Sequence, residues 1–432
     1  VSETTAAPHQ PAGYAELLRA NRNFRFLWYG QIVSLLGDWF NLIASASLVA
    51  SLTESGFAVG GLFMARMLAP FLISPLAGVV TDRYNRKHLL IATDLARALT
   101  VLGFLLVRQP QHIWLLYTLT FVQLAISGTF FPARNAILPD IVSRRELGAA
   151  NTISSATWST MLALGAALGG VVAGGWGIYP AFLIDSASFL LSALMIAQIK
   201  YMPPQRSSSQ DMSVRAALGQ YLDGLRYLRK HLNVLVISLH KAVYHFVSSG
   251  AFQVIQVALA EQVFAIGEGG GISLGILYAV SGVGTGLGPI LVRRFTGDRD
   301  QALRRALTVG YLASALGLIL ISTLRSFPIV LLGNLLRAFG GGLIWVFSTQ
   351  LLLQLLPDHV RGRVFSTEFA LFTLATAASI ALGGWGLDEP AVGIPNVVLW
   401  MAISTLVAAV MWTIWMATHK PAPDTTVDEH PG

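Results

Sequence analysis

Apolar runs long enough to cross a lipid bilayer recur along the whole chain, and no other feature restricts the fold so strongly. A bilayer core takes about 20 apolar residues per helix. Runs of that length fall at 25–51, 57–80, 88–107, 112–133, 151–175, 178–200, 233–260, 271–292, 303–324, 328–352, 363–386 and 395–418. They predict an all-α membrane protein with twelve transmembrane helices. Composition agrees, because 54% of the residues are hydrophobic and only 12% charged, against about 25% charged in soluble domains.

The net charge of +7 invites a nucleic-acid reading, but the basic residues follow topology and do not gather on one surface. An even number of spans puts both termini on one side. Of the Lys and Arg residues, only Arg108 and Arg325 fall in odd-numbered loops, and Arg66, Arg97, Lys241 and Arg337 fall deep inside spans; all the others lie in the N-terminal arm, the even-numbered loops or the C-terminal tail, or at the span ends that border them. By the positive-inside rule both termini are then cytoplasmic, in a multi-pass protein of the inner membrane. A removable signal peptide is not expected, because the first apolar run has spanning length and no small-residue cleavage site. With no Cys in the chain there is no thiolate metal site, disulfide or cysteine nucleophile.

The longest interruption, 201–232, holds Pro203-Pro204, a Ser-rich turn and then Val214, Leu218, Leu222, Leu225 and Leu228 at helical spacing beside Arg215, Arg226, Arg229 and Lys230. Either an interfacial amphipathic helix suited to an anionic leaflet or a merely solvated charged loop would carry this pattern. It divides the chain into an arm (1–24), a six-helix bundle (25–200), the linker, a second bundle (233–418) and a tail (419–432). Repeats support that division. Leu138-Pro139-Asp140 returns as Leu356-Pro357-Asp358, and Gly174-Gly175-Trp176-Gly177 as Gly383-Gly384-Trp385-Gly386. Two pseudo-symmetric six-helix bundles around a central cavity follow, as in transporters built from parallel repeats.

Between the second and third spans lies Gly78-Val79-Val80-Thr81-Asp82-Arg83-Tyr84-Asn85-Arg86-Lys87, four charges between two apolar runs. This stretch resembles the signature cytoplasmic loop of the major facilitator superfamily. Gly37-Asp38-Trp39, Ala133-Arg134-Asn135-Ala136 with Leu138-Pro139-Asp140, Phe182-Leu183-Ile184-Asp185 and Arg361-Gly362-Arg363 are similar to the drug-efflux branch that includes macrolide efflux proteins and the enterobactin exporter. The branch's antiporter motif has a proline that Leu164-Gly165-Ala166-Ala167-Leu168-Gly169-Gly170 lacks, so the resemblance says less about proton antiport than about efflux. It implies that spans one, four, seven and ten surround the pathway.

Those four spans carry polar stripes at helical spacing: Gln31, Ser34, Asp38, Asn41 and Ser45; Gln123, Ser127, Phe130 and Arg134; Lys241, His245, Ser248, Phe252 and Gln256; and Asn334, Arg337, Gly341, Trp345 and Ser348. Charges at the bilayer centre are costly and mark functional candidates. Asp38 and Arg66 both lie roughly 18–20 Å from the cytoplasmic edge by helical rise, so a pair between them is geometrically open, either as a proton-coupling switch or as a structural ion pair. Asp185 and Glu368 are further proton-coupling candidates. Lys241 beside His245 fits a proton-sensitive wall, or a lysine that snorkels to the interface. Phe130, Phe131, Tyr244, Phe252 and Trp345 suit an amphipathic substrate, although most membrane aromatics are packing or interface anchors. Asp94 and Arg97 read as an i,i+3 pair supporting the hinge.

At the hinge, Gly78, Asp82, Arg83, Arg86 and Lys87 form a candidate cytoplasmic gate; Asp82 argues for it, since topology gains little from an acid. There is no phosphate loop and no H-E-x-x-H, so no enzyme, cofactor or metal is expected. The function expected is a secondary active exporter of amphipathic drug-like or siderophore-like molecules, exchanging them for protons by alternating access, with membrane lipids as its other partners and the monomer as its working unit. A lipid or lysolipid flippase is the alternative within transport, and a non-transporting membrane sensor the alternative outside it.

Overall fold

The computed structural model describes residues 13–143, 145–202, 226–297 and 299–419. All its regular structure is helical, and among the described residues twelve helices are long and apolar enough to cross a membrane. They are α1 (Arg22–Thr53), α2 (Gly56–Arg83), α3 (Arg86–Leu102), α4 (Ile113–Ile141), α5 (Leu147–Val171), α6 (Ile178–Ala197), α7 (Leu232–Val263), α8 (Gly271–Thr296), α9 (Asp300–Ser322), α10 (Phe327–Leu355), α11 (Asp358–Asp388) and α12 (Gly393–Thr418). A short helix, Tyr14–Ala20, precedes them. In the linker only residues 226–230 are described as helical; the amphipathic pattern from Val214 to Leu225 lies outside the described residues.

Several helices run past the ends of their apolar runs. Helix α4 continues to Ile141 through Pro132 and Pro139, because its polar last turns find partners on neighbouring helices. The charged stretch after α2 contains only a two-residue break: Gly78 to Arg83 complete α2, and the Asn85 side chain caps α3 by accepting hydrogen bonds from the Lys87 and His88 amides at 3.0 and 3.3 Å. Helix α7 is interrupted by a π-helical turn at His245–Ser249 and ends in another at Leu259–Val263, and such turns are frequent at functional sites.

Helices α1–α6 pack mainly on one another, as do α7–α12, and two seams join the sets: α5 against α8, and α2 against α11. Both seams are tightest on the side away from the chain ends. A Cβ placed on Gly170 would lie 2.7 Å from the Gly275 Cα, and one on Gly384 would lie 2.9 Å from the Gly56 carbonyl oxygen. Backbones come this close only where there is no side chain. Toward the chain ends the first seam opens: a Cβ on Gly282 would meet Ala163 at 3.1 Å, whereas Gly286, one turn on, faces empty space.

The α2–α11 seam also carries a polar clasp. The Asp388 carboxylate, at the end of α11, accepts hydrogen bonds from the Ser55 hydroxyl (2.6 Å), the Gly56 amide (2.6 Å) and the Phe57 amide (3.1 Å). These are free donors at the start of α2, where an anion is also favoured by the helix dipole. The clasp is exposed, so about 1–2 kcal/mol is a fair scale for it, near that of an N-cap. Asp388→Ala is expected to raise the equilibrium constant for opening of this seam by about 5- to 30-fold. Spin labels on α2 and α11, attached through cysteines introduced into this cysteine-free chain, would read this as a longer distance; an unchanged distance distribution would rule out a clasp of this strength.

Candidate functional site

Between the two seams the helices diverge into a space open on the side that carries the chain ends. A cavity of about 420 Å³ forms its α1–α6 wall, lined by Gln31, Asp38, Arg97, Phe130, Arg134 and Trp158 among others. The expected stripes of α1 and α4 supply four of these residues. The upper parts of the same stripes do not reach the cavity: Asn41 and Gln123 are each 1% exposed, packed between helices. Gln256 is likewise buried on α7. Helical spacing shows which face is polar, but not where two helix sets close over it.

The centre of this wall is the Asp94–Arg97 ion pair, buried between α3, α4 and α6. Ser192 of α6 donates to the other Asp94 oxygen at 2.7 Å. The Arg97 guanidinium lies over the Phe130 ring at 4.3 Å and the Phe189 ring at 4.2 Å, in cation–π range. The expected i,i+3 pair is thus present, as a buried element at the cavity wall. Asp38 lies within Coulombic reach of Arg97 and Arg66, yet no ion pair joins Asp38 to Arg66 in this conformation. Asp185 is fully buried behind α1 and packs against Gly37; neither of its oxygens has a hydrogen-bond partner.

Toward the chain ends, Arg134 is held by neutral groups. Its Nη2 donates to Gln31 Oε1 and Ser154 Oγ, both at 2.5 Å, and Nη1 to Asn135 Oδ1 at 3.1 Å.

In the other helix set, α7, α10 and α11 bring a second group of charged and aromatic side chains together. Lys241 Nζ is 3.0 Å from Glu368 Oε2 in a buried ion pair and lies 4.7 Å from the Trp345 ring centroid. His245 stands edge-on to Phe372 at 4.5 Å, with Trp345 6.0 Å away. Arg337 lies over Phe252 at 3.8 Å and donates to Asn334 Oδ1 at 3.0 Å from Nη2. Lys241 therefore neither snorkels nor bonds His245: Glu368, one of the proton-coupling candidates, is its partner.

At the hinge, Arg86 binds Asp140 of α4 at 2.5 Å and Lys87 donates to the Ile199 carbonyl at 2.7 Å. Tyr201 also donates to Asp140, at 3.0 Å. These bonds stay within the α1–α6 set. Arg83 is exposed, and the Asp82 side chain and the surroundings of Gly78 lie outside the described residues. Sequence reasoning did not single out Asp388, Ser154 or Trp158; Asp388 follows the second Gly-Gly-Trp-Gly by two residues, the one local signal that could have marked it.

Comparison with known proteins places this geometry. Residues 13–429 match the family model described as transmembrane secretion effector. An uncharacterised MFS-type transporter of Bacillus subtilis, YfiS, is 27% identical over 389 residues, covering 85% of this chain and 87% of the relative. The putative bacilysin exporter BacE of the same species is 24% identical, covering 81% and 84%. Macrolide efflux protein A of Streptococcus pyogenes is 24% identical over a shorter stretch, 52% and 55%. Among solved structures, the nucleoside transporter NupG has a TM-score of 0.69 at 13% identity, over 91% of this chain and all of that one. An inward-facing bacterial homologue of the lysosomal transporter Spinster has a TM-score of 0.67 at 16% identity, over 93% and 99%.

Proposed function

The chain belongs to the transmembrane secretion effector family of major facilitator transporters, and on that premise we propose that it exports amphipathic small molecules by alternating access, with protons moving the other way. One observation carries this reading: charged and aromatic side chains of α1–α6 line a cavity, while two glycine-lined seams hold the helix sets together on the side away from the chain ends. The distribution of Lys and Arg assigns the open side to the cytoplasm. The conformation is then inward-open, ready to load substrate from inside the cell. Relatives named as a bacilysin exporter and a macrolide efflux protein support export. The working unit is the monomer in the inner membrane, and its partners are substrate, protons and lipid.

Two acid–base groupings are available for coupling. In one, Asp38 lies near Arg66 and Arg97 and in front of Asp185. In the other, Glu368 holds Lys241. A proton arriving at Asp38 would weaken its attraction to both arginines and free them to rearrange. The Gly78–Lys87 stretch acts as the cytoplasmic gate in the opposite state, with Arg86 and Lys87 bracing the turn from within α1–α6.

The test is counterflow in proteoliposomes with drugs, a siderophore and a lysolipid at two pH gradients. Drug or siderophore exchange accelerated by the gradient is expected; exchange of the lysolipid alone would favour a flippase. Asp38→Asn is expected to retain counterflow but lose the acceleration by pH. Full pH-driven transport in that variant would remove Asp38 from coupling.

A further inference from the structure

Within the cavity reading above, on which this step rests, we infer that the α1–α6 wall binds a carboxylate, so that the molecules taken up there are amphipathic acids. The argument begins with charge balance. Arg97 is matched by Asp94 and Lys241 by Glu368. Arg66 has Asp38 and Asp185 in Coulombic reach. Arg337 has no carboxylate, but its guanidinium is capped by the face of Phe252 and held by Asn334. Arg134 differs from all four. It is 8% exposed, its bonds run only to Gln31, Ser154 and Asn135, and its buried Nε has no partner.

A buried cation held only by neutral acceptors keeps its charge uncompensated, and this favours an anion brought from outside. The cavity beside Arg134 provides room for one. Asp38, the acid on the same wall, sits seven residues from Gln31 along α1, about 10 Å by helical rise. It is too far along the wall to neutralise Arg134. The volume of about 420 Å³ suits a small ligand. Phe130, Phe131 and Trp158 supply apolar wall, and Asn135 and Asn151 supply amide groups near the guanidinium. Three of the five guanidinium N–H groups are held by Gln31, Ser154 and Asn135 and the Nε–H is buried, so one Nη1 N–H is left to meet a carboxylate oxygen, beside the unbalanced positive charge. Gln31 and Ser154 fix its plane, so little of its freedom remains to be lost when a ligand binds.

The experiment uses purified full-length protein in nanodiscs and three naphthalene probes of nearly equal shape: 2-naphthylacetic acid, 2-naphthylacetamide and 2-(2-naphthyl)ethylamine. Calorimetry gives each affinity after subtraction of partitioning into empty nanodiscs. The acid is expected to bind at least about tenfold tighter than the amide, with the amine weakest. Arg134→Gln is expected to erase the difference between acid and amide, and Arg134→Lys to retain part of it. The wild-type comparison needs no variant to fold. Equal affinity for acid and amide, tighter binding of the amine, no binding of any probe, or an undiminished acid preference in Arg134→Gln would each overturn the inference. Binding is read without turnover: a protein that prefers the acid but shows no counterflow would refute the exporter reading and leave the carboxylate site standing.

Discussion

Protein carrying Asp94→Ala is expected to melt at a much lower temperature than the wild type and to be recovered from membranes in poor yield. Removing one partner of a buried ion pair leaves the other charge without compensation, at a cost of about 3–5 kcal/mol. Here the stranded group would be Arg97, 2% exposed between the Phe130 and Phe189 rings. Ser192 would lose its acceptor as well, so the contact between α3 and α6 would weaken at the same point. Arg97→Lys separates charge from shape. It keeps a cation near Asp94 but gives up the planar group that stacks on both rings, and its melting temperature is expected to fall between those of Asp94→Ala and the wild type. Thermal unfolding of the detergent-solubilised proteins, followed by light scattering and Trp fluorescence, would rank the three. If Asp94→Ala melts with the wild type, the pair is not structural.

How far the site was legible in the sequence depended on whether a feature is local. Span number follows from apolar run length. The Gly-Gly-Trp-Gly repeat marked more than duplication, because Gly174 packs against Ile272 and Gly384 against Gly56; its two copies lie on the two seams. The face of α1 that bears Gln31 and Asp38 was visible as helical spacing, and both residues do reach the cavity. Partner choice was not visible. Asp94 and Arg97 are three residues apart and read as a local pair, yet Ser192 and two rings from other helices make them a core element. The spacing of Lys241 points to its near neighbour His245, while its actual partner lies 127 residues away. Asp388 binds a helix start more than 330 residues distant in the chain, by 331 to the Phe57 amide. No periodicity within one helix encodes which other helix will face it.

The Lys241–Glu368 pair joins α7 to α11, and α11 is also the helix that meets α2 across a seam. A change in the pair therefore acts on a helix that also forms the α2–α11 seam. Glu368→Ala is expected to strand the buried Lys241 ammonium, with Trp345 and Phe365 as its remaining cation-accepting faces, and to cost about 3–5 kcal/mol together with transport. Replacing both members by apolar residues of similar volume, Lys241→Met with Glu368→Leu, removes the unpaired charge along with the pair. Such double replacements are often neutral or stabilising. The double variant should therefore regain the melting temperature of the wild type. If the pair serves coupling, it should still fail to accelerate counterflow under a pH gradient. If the pair serves only to hold α7 on α11, transport should return with stability. The two roles thus predict the same single variant and opposite double variants, and one set of vesicles measured at two pH gradients distinguishes them.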